Sequence, residues 1–266
     1  MCELFAMSAR HPTTVSLSLE EFSRHGGLTG PHKDGWGIAW YEEKDIRLVK
    51  EKYPSASSAC ARFIQTNPFS SSLVISHIRK ATLGPVTSRN CQPFVRELGG
   101  VWHCFAHNGD LPGIADDPRF RAEEFRPVGE TDSEQAFCAL MDALRPLWSS
   151  GFAPALRERK EGVSRFGAAL RELGPANFLY CDGDALFAHA DRRHQSDGSI
   201  SAPGMWRLAR RCPAGGELAA QGLRISSDRG EQEVVLVASV PLTAEEWIPL
   251  AEGEMVVARQ GSVQRE

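Results

Sequence analysis

Short β-rich segments recur from residue 3 to residue 259, and the two clearest helical periodicities fall between them. That ordering limits the available folds more than any other feature. Strands from both ends of the chain must pair around helices made in its middle, the pattern of an α+β sandwich with helices covering stacked sheets. Glu3 to Ser8 is predicted as a strand entering a core, and Ser18 with Glu21 as a capping box for a short helix through Arg24. A loop with Gly26, Gly27, Gly30 and Pro31 leads into a strand from His32 to Tyr41, with Ile46 to Tyr53 as its hairpin partner. Ser57 to Gln65 is predicted helical and Leu73 to Arg79 extended, ending in charge. Lys80 to Glu97 is an irregular stretch of a length that is usually functional or disordered. Val101 to His107 is a further strand, stopped by Asn108-Gly109.

Asp132 to Leu147 is the clearest helix, with Ala136, Leu140, Ala143, Leu144 and Leu147 at helical spacing behind a cap at Thr131 or Asp132. Ser164 to Leu173 is a second helix, ended by Gly174-Pro175. Strands Asn177 to Cys181 and Ala185 to His189 flank an Asp182-Gly183-Asp184 turn, and Glu233 to Val240 with Glu254 to Arg259 complete the expected β content. Residues 192–204 are expected as a surface loop; with no repeat or dividing linker, residues 1–266 are expected to form a single domain.

Composition excludes more than it assigns. A net charge of −4 argues against a general nucleic-acid binder, and no run of 18 apolar residues offers a membrane helix. The N-terminus lacks the basic and apolar regions of a signal peptide, so a cytoplasmic location is expected. The seven cysteines, at 2, 60, 91, 104, 138, 181 and 212, are odd in number and include no C-x-x-C pair. Neither a disulfide framework nor a structural zinc is expected, and no cofactor is indicated.

Cys2 is the exception among them. Removal of Met1 places a thiol and a free α-amine on one residue, and an α-amine with a pKa of about 7.7–8.0 is partly a free base near neutrality. Nucleophile and base then come from the same residue. Three further constellations accompany it. In His77-Ile78-Arg79-Lys80-Ala81-Thr82, Arg79 lies at a strand end, where a guanidinium can grip a carboxylate or remain an ordinary surface residue. In His107-Asn108-Gly109-Asp110, Asn-Gly is a turn signal, or else the Asn108 amide and the Gly109 N–H form an oxyanion hole. In Gly129-Glu130-Thr131-Asp132-Ser133-Glu134, a helix N-cap competes with a carboxylate that binds an ammonium. His77, His103 and His107 could be metal ligands, but His103 and His107 on one strand would stand about 13 Å apart, too far to share an ion.

Taken in order, Cys2, Asp34-Gly35-Trp36-Gly37-Ile38-Ala39, His77-Ile78-Arg79-x-Ala81-Thr82, His107-Asn108-Gly109 and Thr131-Asp132-Ser133-Glu134 resemble the class II glutamine amidotransferases, a group of N-terminal-nucleophile hydrolases. The Met-Cys-Glu-Leu opening and the length look closest to small stand-alone members, the YafJ-like proteins and the ergothioneine-pathway γ-glutamyl hydrolase. The resemblance covers residue 2 to about residue 255 and implies a four-layer αββα sandwich. It implies Cys2 as nucleophile, Asn108 and Gly109 as oxyanion hole, Arg79 on the substrate α-carboxylate, Asp132 on its α-ammonium and Thr82 in the pocket wall. The implied reaction converts the side-chain amide of L-glutamine to a γ-glutamyl thioester and ammonia. A larger γ-glutamyl amide is the alternative substrate, and a catalytically silent binding module of the same fold the alternative role. Lys80 and Leu83 stand where synthase-linked members often carry an aromatic residue and a histidine. With no synthase segment after residue 266, the amide side is expected to face solvent or a separate ammonia-accepting chain.

Overall fold

The computed structural model describes residues 2–14, 22–67, 69–149, 152–195, 197–212, 217–220, 223–226 and 231–265. In chain order the strands are β1 (Glu3–Thr14), β2 (Trp36–Glu42), β3 (Asp45–Glu51), β4 (Ser70–Ile78), β5 (Phe94–Leu98), β6 (Val101–Gly109), β7 (Ala176–Cys181) and β8 (Leu186–His189). They continue with β9 (Arg193–His194), β10 (Ile200–Ser201), β11 (Trp206–Cys212), β12 (Glu217–Ala220), β13 (Leu223–Ser226), β14 (Gln232–Ala238), β15 (Ile248–Pro249), β16 (Met255–Arg259) and β17 (Ser262–Val263). The α-helices whose bounds are fully described are α1 (Ala59–Thr66), α2 (Asp132–Trp148) and α3 (Leu156–Leu170), and residues 22–25 are also helical.

Two antiparallel sheets stack face to face. The first has the order β15-β11-β14-β1-β4-β2-β3, and the second β17-β16-β8-β7-β6-β5. Side-chain alternation sorts each strand between two layers. Leu4 and Ala6 of β1 and Leu73 and Ile75 of β4 meet Cys104 and Ala106 of β6 and Leu179 of β7 between the sheets. Phe5 and Met7, with Val74 and Ile78, face the opposite way onto Phe22 and the α1 residues Ala61 and Ile64. On the far side, Phe105, Phe178 and Phe187 pack under Phe137, Leu140 and Leu144 of α2 and Val163 and Phe166 of α3. The result is the αββα arrangement, with helices few and sheets dominant.

Side-chain caps start two of these helices. Ser58 caps α1 by accepting from Ala61 N at 2.9 Å, and Thr131, not Asp132, caps α2 by accepting from Glu134 N at 3.2 Å. The predicted Ser18–Glu21 capping box lies outside the described residues.

Several expected elements differ. β1 runs on to Thr14, because β4 and β14 flank it on both edges. The chain from His32 to Gly35 is not strand; Gly35, at φ 123°, turns it into β2. The irregular stretch after Lys80 ends early, since residues 94–98 form β5 against β6. Asn108-Gly109 is not a turn: both residues lie in the ladder, opposite Asn177 and Ala176. The α3 helix begins at Leu156 rather than Ser164: the charged Arg-Glu-Arg-Lys-Glu run forms its first turns, with Arg159 buried in ion pairs to Asp182 and Asp184. β11 was not anticipated; its arginines mask an alternation in which Trp206 and Leu208 pack on the first sheet's outer core.

Candidate active site

Cys2 sits at the head of β1, the middle strand of the first sheet. Its Sγ donates to Lys80 O and accepts from Lys80 N, both at 3.3 Å. Neighbouring backbone bonds fix that peptide: Arg79 N donates to Gly35 O at 2.8 Å, Asp34 N to Arg79 O at 3.2 Å, and Ala81 N to the Asp34 carboxylate at 2.8 Å. The Asp34-Gly35 pair, quoted above without a role, therefore holds the segment against which the thiol rests. Burial pushes the Cys2 thiol up to about 11, against the opposing pull of the Lys80 N–H and the Arg79 charge. The thiol is thereby held protonated near neutrality, so the sulfur needs a base to become a nucleophile.

Asn108 reaches Cys2 from the second sheet. Its side-chain Nδ2 donates to Cys2 O at 2.6 Å. The strand that carries it is braced by Gln92, which accepts from His107 N at 2.6 Å and donates to His107 O at 3.2 Å. Gly37 makes room for that brace: a Cβ there would stand 2.3 Å from Gln92 O. Asn177 Nδ2 donates to Asn108 O at 3.2 Å from the next strand. Gly109 follows, and a Cβ there would come within 1.7 Å of the Pro175 carbonyl, so close backbone approach explains this glycine.

Thr82 and Asp132 line a cavity of about 580 Å³, together with Asp110, Ile114, Glu130 and Gln135. Thr82 Oγ1 donates to Asp110 at 2.8 Å, and Leu111 N donates to the other Asp132 oxygen from the one that Ser133 N uses, at 2.8 and 2.7 Å. Four carboxylates, those of Asp110, Asp116, Glu130 and Asp132, face this cavity, with no lysine or arginine among its described lining residues. Arg79 is placed differently. Its buried guanidinium donates to the carbonyls of Leu83, Gly84 and Pro85, at 2.9 to 3.2 Å, and so shapes the loop that carries Thr82. The structure thus brings Cys2 to Asn108 and Thr82 to Asp132, with Asp110 joining the two groups through its charge on the thiol.

Sequence reasoning missed a second cluster behind Cys2. Glu3 points to the outer face of the sheet and accepts from His25 Nδ1 at 2.6 Å, with His32 Nδ1 at 4.0 Å. Burial raises the Glu3 pKa, but the His25 hydrogen bond and the His25 and His32 charges outweigh it and hold the carboxyl below its usual range. A buried acid directly after Cys2 was the only available signal. His77, His103 and His107 do not converge: His103 bonds Tyr180 Oη and Leu98 O, while His107 bonds Ser133 Oγ. No group of residues suited to hold a metal occurs among the described residues.

Comparison with known proteins agrees with this architecture. A family model described as class II glutamine amidotransferases matches residues 1–266. The chain is 38% identical over 262 residues to YafJ of Escherichia coli strain K12, named as a glutamine amidotransferase, covering 96% of each. It is 31% identical to a similarly named protein of Haemophilus influenzae, covering 98% of this chain and 85% of that one. The crystal structure of a Pseudomonas aeruginosa protein described as a predicted glutamine amidotransferase superposes with a TM-score of 0.72 at 32% identity, covering both chains fully. Glutamine phosphoribosylpyrophosphate amidotransferase of Bacillus subtilis, at 15% identity and a TM-score of 0.60, shares the fold over 49% of its length. The chain belongs to the class II glutamine amidotransferases.

Proposed function

We propose that this protein hydrolyses the side-chain amide of L-glutamine, or of a larger γ-glutamyl compound, through a thioester on Cys2. The observation that carries the reading is the 2.6 Å bond from Asn108 Nδ2 to Cys2 O, which sets an amide donor beside the sulfur-bearing residue. Removal of Met1 frees the Cys2 α-amine. That amine takes the thiol proton as sulfur attacks the amide carbon, and passes it to the leaving nitrogen as the C–N bond breaks and ammonia departs. A water then attacks the thioester, the amine takes its proton, and the C–S bond breaks to return the thiol and release glutamate. Asn108 Nδ2 and the Gly109 N–H bind the oxyanion in both halves.

In this reading Asp132 binds the α-ammonium from the cavity wall, and Thr82 orients the head through Asp110. Arg79 receives the α-carboxylate by exchanging loop carbonyls for a stronger, charge-assisted acceptor. A cavity of about 580 Å³ favours γ-glutamyl compounds larger than glutamine alone, with the leaving nitrogen facing solvent or an ammonia-accepting partner chain. The six cysteines whose side chains are described form no disulfide, which fits a reducing, cytoplasmic setting, and residues 1–266 are taken as one domain.

The test combines mass and substrate. The active protein should be lighter by one Met, and Cys2→Ala should fold but not turn over. L-γ-glutamyl-p-nitroanilide should release p-nitroaniline while N-acetyl-L-glutamine is refused. Full activity in a chain that keeps Met1, or equal turnover of the acetylated substrate, overturns the reading. Refusal of every substituted amide would narrow it to a dedicated glutaminase.

A further inference from the structure

One histidine in the site's floor is used by none of these steps. On β4, alternation puts His77 on the face that carries Leu73 and Ile75, toward the second sheet; it stands opposite Leu4 of β1. On β6, alternation puts Asn108 on the face that carries Cys104 and Ala106, toward the first sheet. Both side chains therefore enter the same inter-sheet layer, at its Cys2 end. His77 is fully buried, and neither of its ring nitrogens has a hydrogen-bond partner among the described residues. Asn108 Oδ1 is likewise buried without a partner, while Nδ2 of the same amide donates to Cys2 O.

These orphans are complementary. A neutral imidazole has one N–H to give, and an amide oxygen has two lone pairs to receive it. An apolar residue at 77 would continue the Leu73 and Ile75 face without burying two polar atoms, and a buried unmet donor is costly. His107 cannot take this place: it faces the helices, where its Nδ1 pairs with Ser133 Oγ at 2.9 Å.

We infer that His77 is a positioning residue for Asn108: through one buried water its N–H satisfies Asn108 Oδ1, and so keeps Nδ2 turned toward Cys2. The inference rests on the thioester reading above. It makes a specific kinetic demand. Nδ2 must serve the oxyanion, so loosening the amide lowers kcat and leaves KM alone, because His77 touches no part of the bound head.

The test is a double-mutant cycle on the processed full chain, with kcat and KM for glutamine and L-γ-glutamyl-p-nitroanilide. His77→Leu should lower kcat about tenfold, the rate equivalent of one ordinary hydrogen bond, with KM unchanged. His77→Gln, which restores an N–H, should recover most of the loss. His77→Leu combined with Asn108→Ala should be no slower than Asn108→Ala alone, since the two act through one amide. Additive losses, or a change confined to KM, overturn the inference. A high-resolution crystal structure supplies a readout independent of variant folding. One water within about 3.2 Å of both a His77 nitrogen and Asn108 Oδ1 supports the inference, and an Oδ1 satisfied elsewhere overturns it. A wild type that releases neither ammonia nor p-nitroaniline overturns the thioester reading and this inference with it; an active wild type with additive losses overturns the inference alone.

Discussion

Acid should expose His77 in a second, independent way. Burial, with the nearby charges of Arg79, His107 and His32, depresses its pKa from 6.5 to about 3. Between those values the unfolded chain binds a proton at residue 77 that the folded chain refuses. The unfolded state then holds more protons, so stability rises with pH and is lost as the pH falls from 6.5 toward 3. Well below 6.5 each unit costs about 1.36 kcal/mol, so acidification from pH 7.5 to 4.5 removes about 2–3 kcal/mol through this residue. His77→Leu deletes that contribution. The assay is urea unfolding of wild type and variant at several pH values from 7.5 to 4.5. His103, depressed to about 4, acts equally in both proteins and cancels in the difference. The wild type should lose stability relative to the variant by about 2–3 kcal/mol over that window, whichever is more stable at neutral pH. Parallel curves would mean that the folded protein accepts the proton, and would refute a His77 held neutral by burial.

Gly109→Ala should lower both stability and kcat, because its Cβ would stand 1.7 Å from the Pro175 carbonyl and must displace backbone. The stability loss should be about 1–3 kcal/mol by thermal melting, and an unchanged melting temperature would show that the 109–175 contact yields. Asp132→Asn should raise KM for glutamine about 10- to 100-fold, the worth of a charge-assisted hydrogen bond, with little change in kcat. A fall in kcat alone would move Asp132 out of the head-binding role.

Much of the site was legible because its residues lie next to punctuating signals. Cys2 stands at a terminus, Arg79 just after a β-branched run, and Asp132 at a helix start; each was placed within a residue or two of its observed position. Asn108-Gly109 misled, because the local turn preference of this dipeptide was overridden by pairing with Asn177 and Ala176, nearly 70 residues away in the chain. Distance in sequence also hid β5, β11 and the Gln92 brace. Local periodicity records which face a residue turns, not which partner completes it. The Glu3–His25–His32 cluster was hidden for the same reason, since nothing near Glu3 announces two histidines more than 20 residues away. The Arg79 side chain shows a further limit: a strand-end arginine can be located from sequence, but whether it faces a ligand or its own loop depends on carbonyl directions that only the fold sets.

The central position of β1 has a consequence for how the protein is made. Leu4 N donates to the Ser239 hydroxyl, 235 residues later, and the β14 edge that flanks β1 is equally late in the chain. At about 5–20 residues per second, the ribosome needs roughly ten to fifty seconds after releasing the N-terminus to produce those partners. For that interval the first strand can bind neither β14 nor its final neighbours as a set, and its end is open to the aminopeptidase that the proposed chemistry requires. Once the late strand docks, the trimmed end is locked into the middle of a sheet. In the proposed reading, synthesis order then lets Met1 removal precede the docking that buries the strand's end.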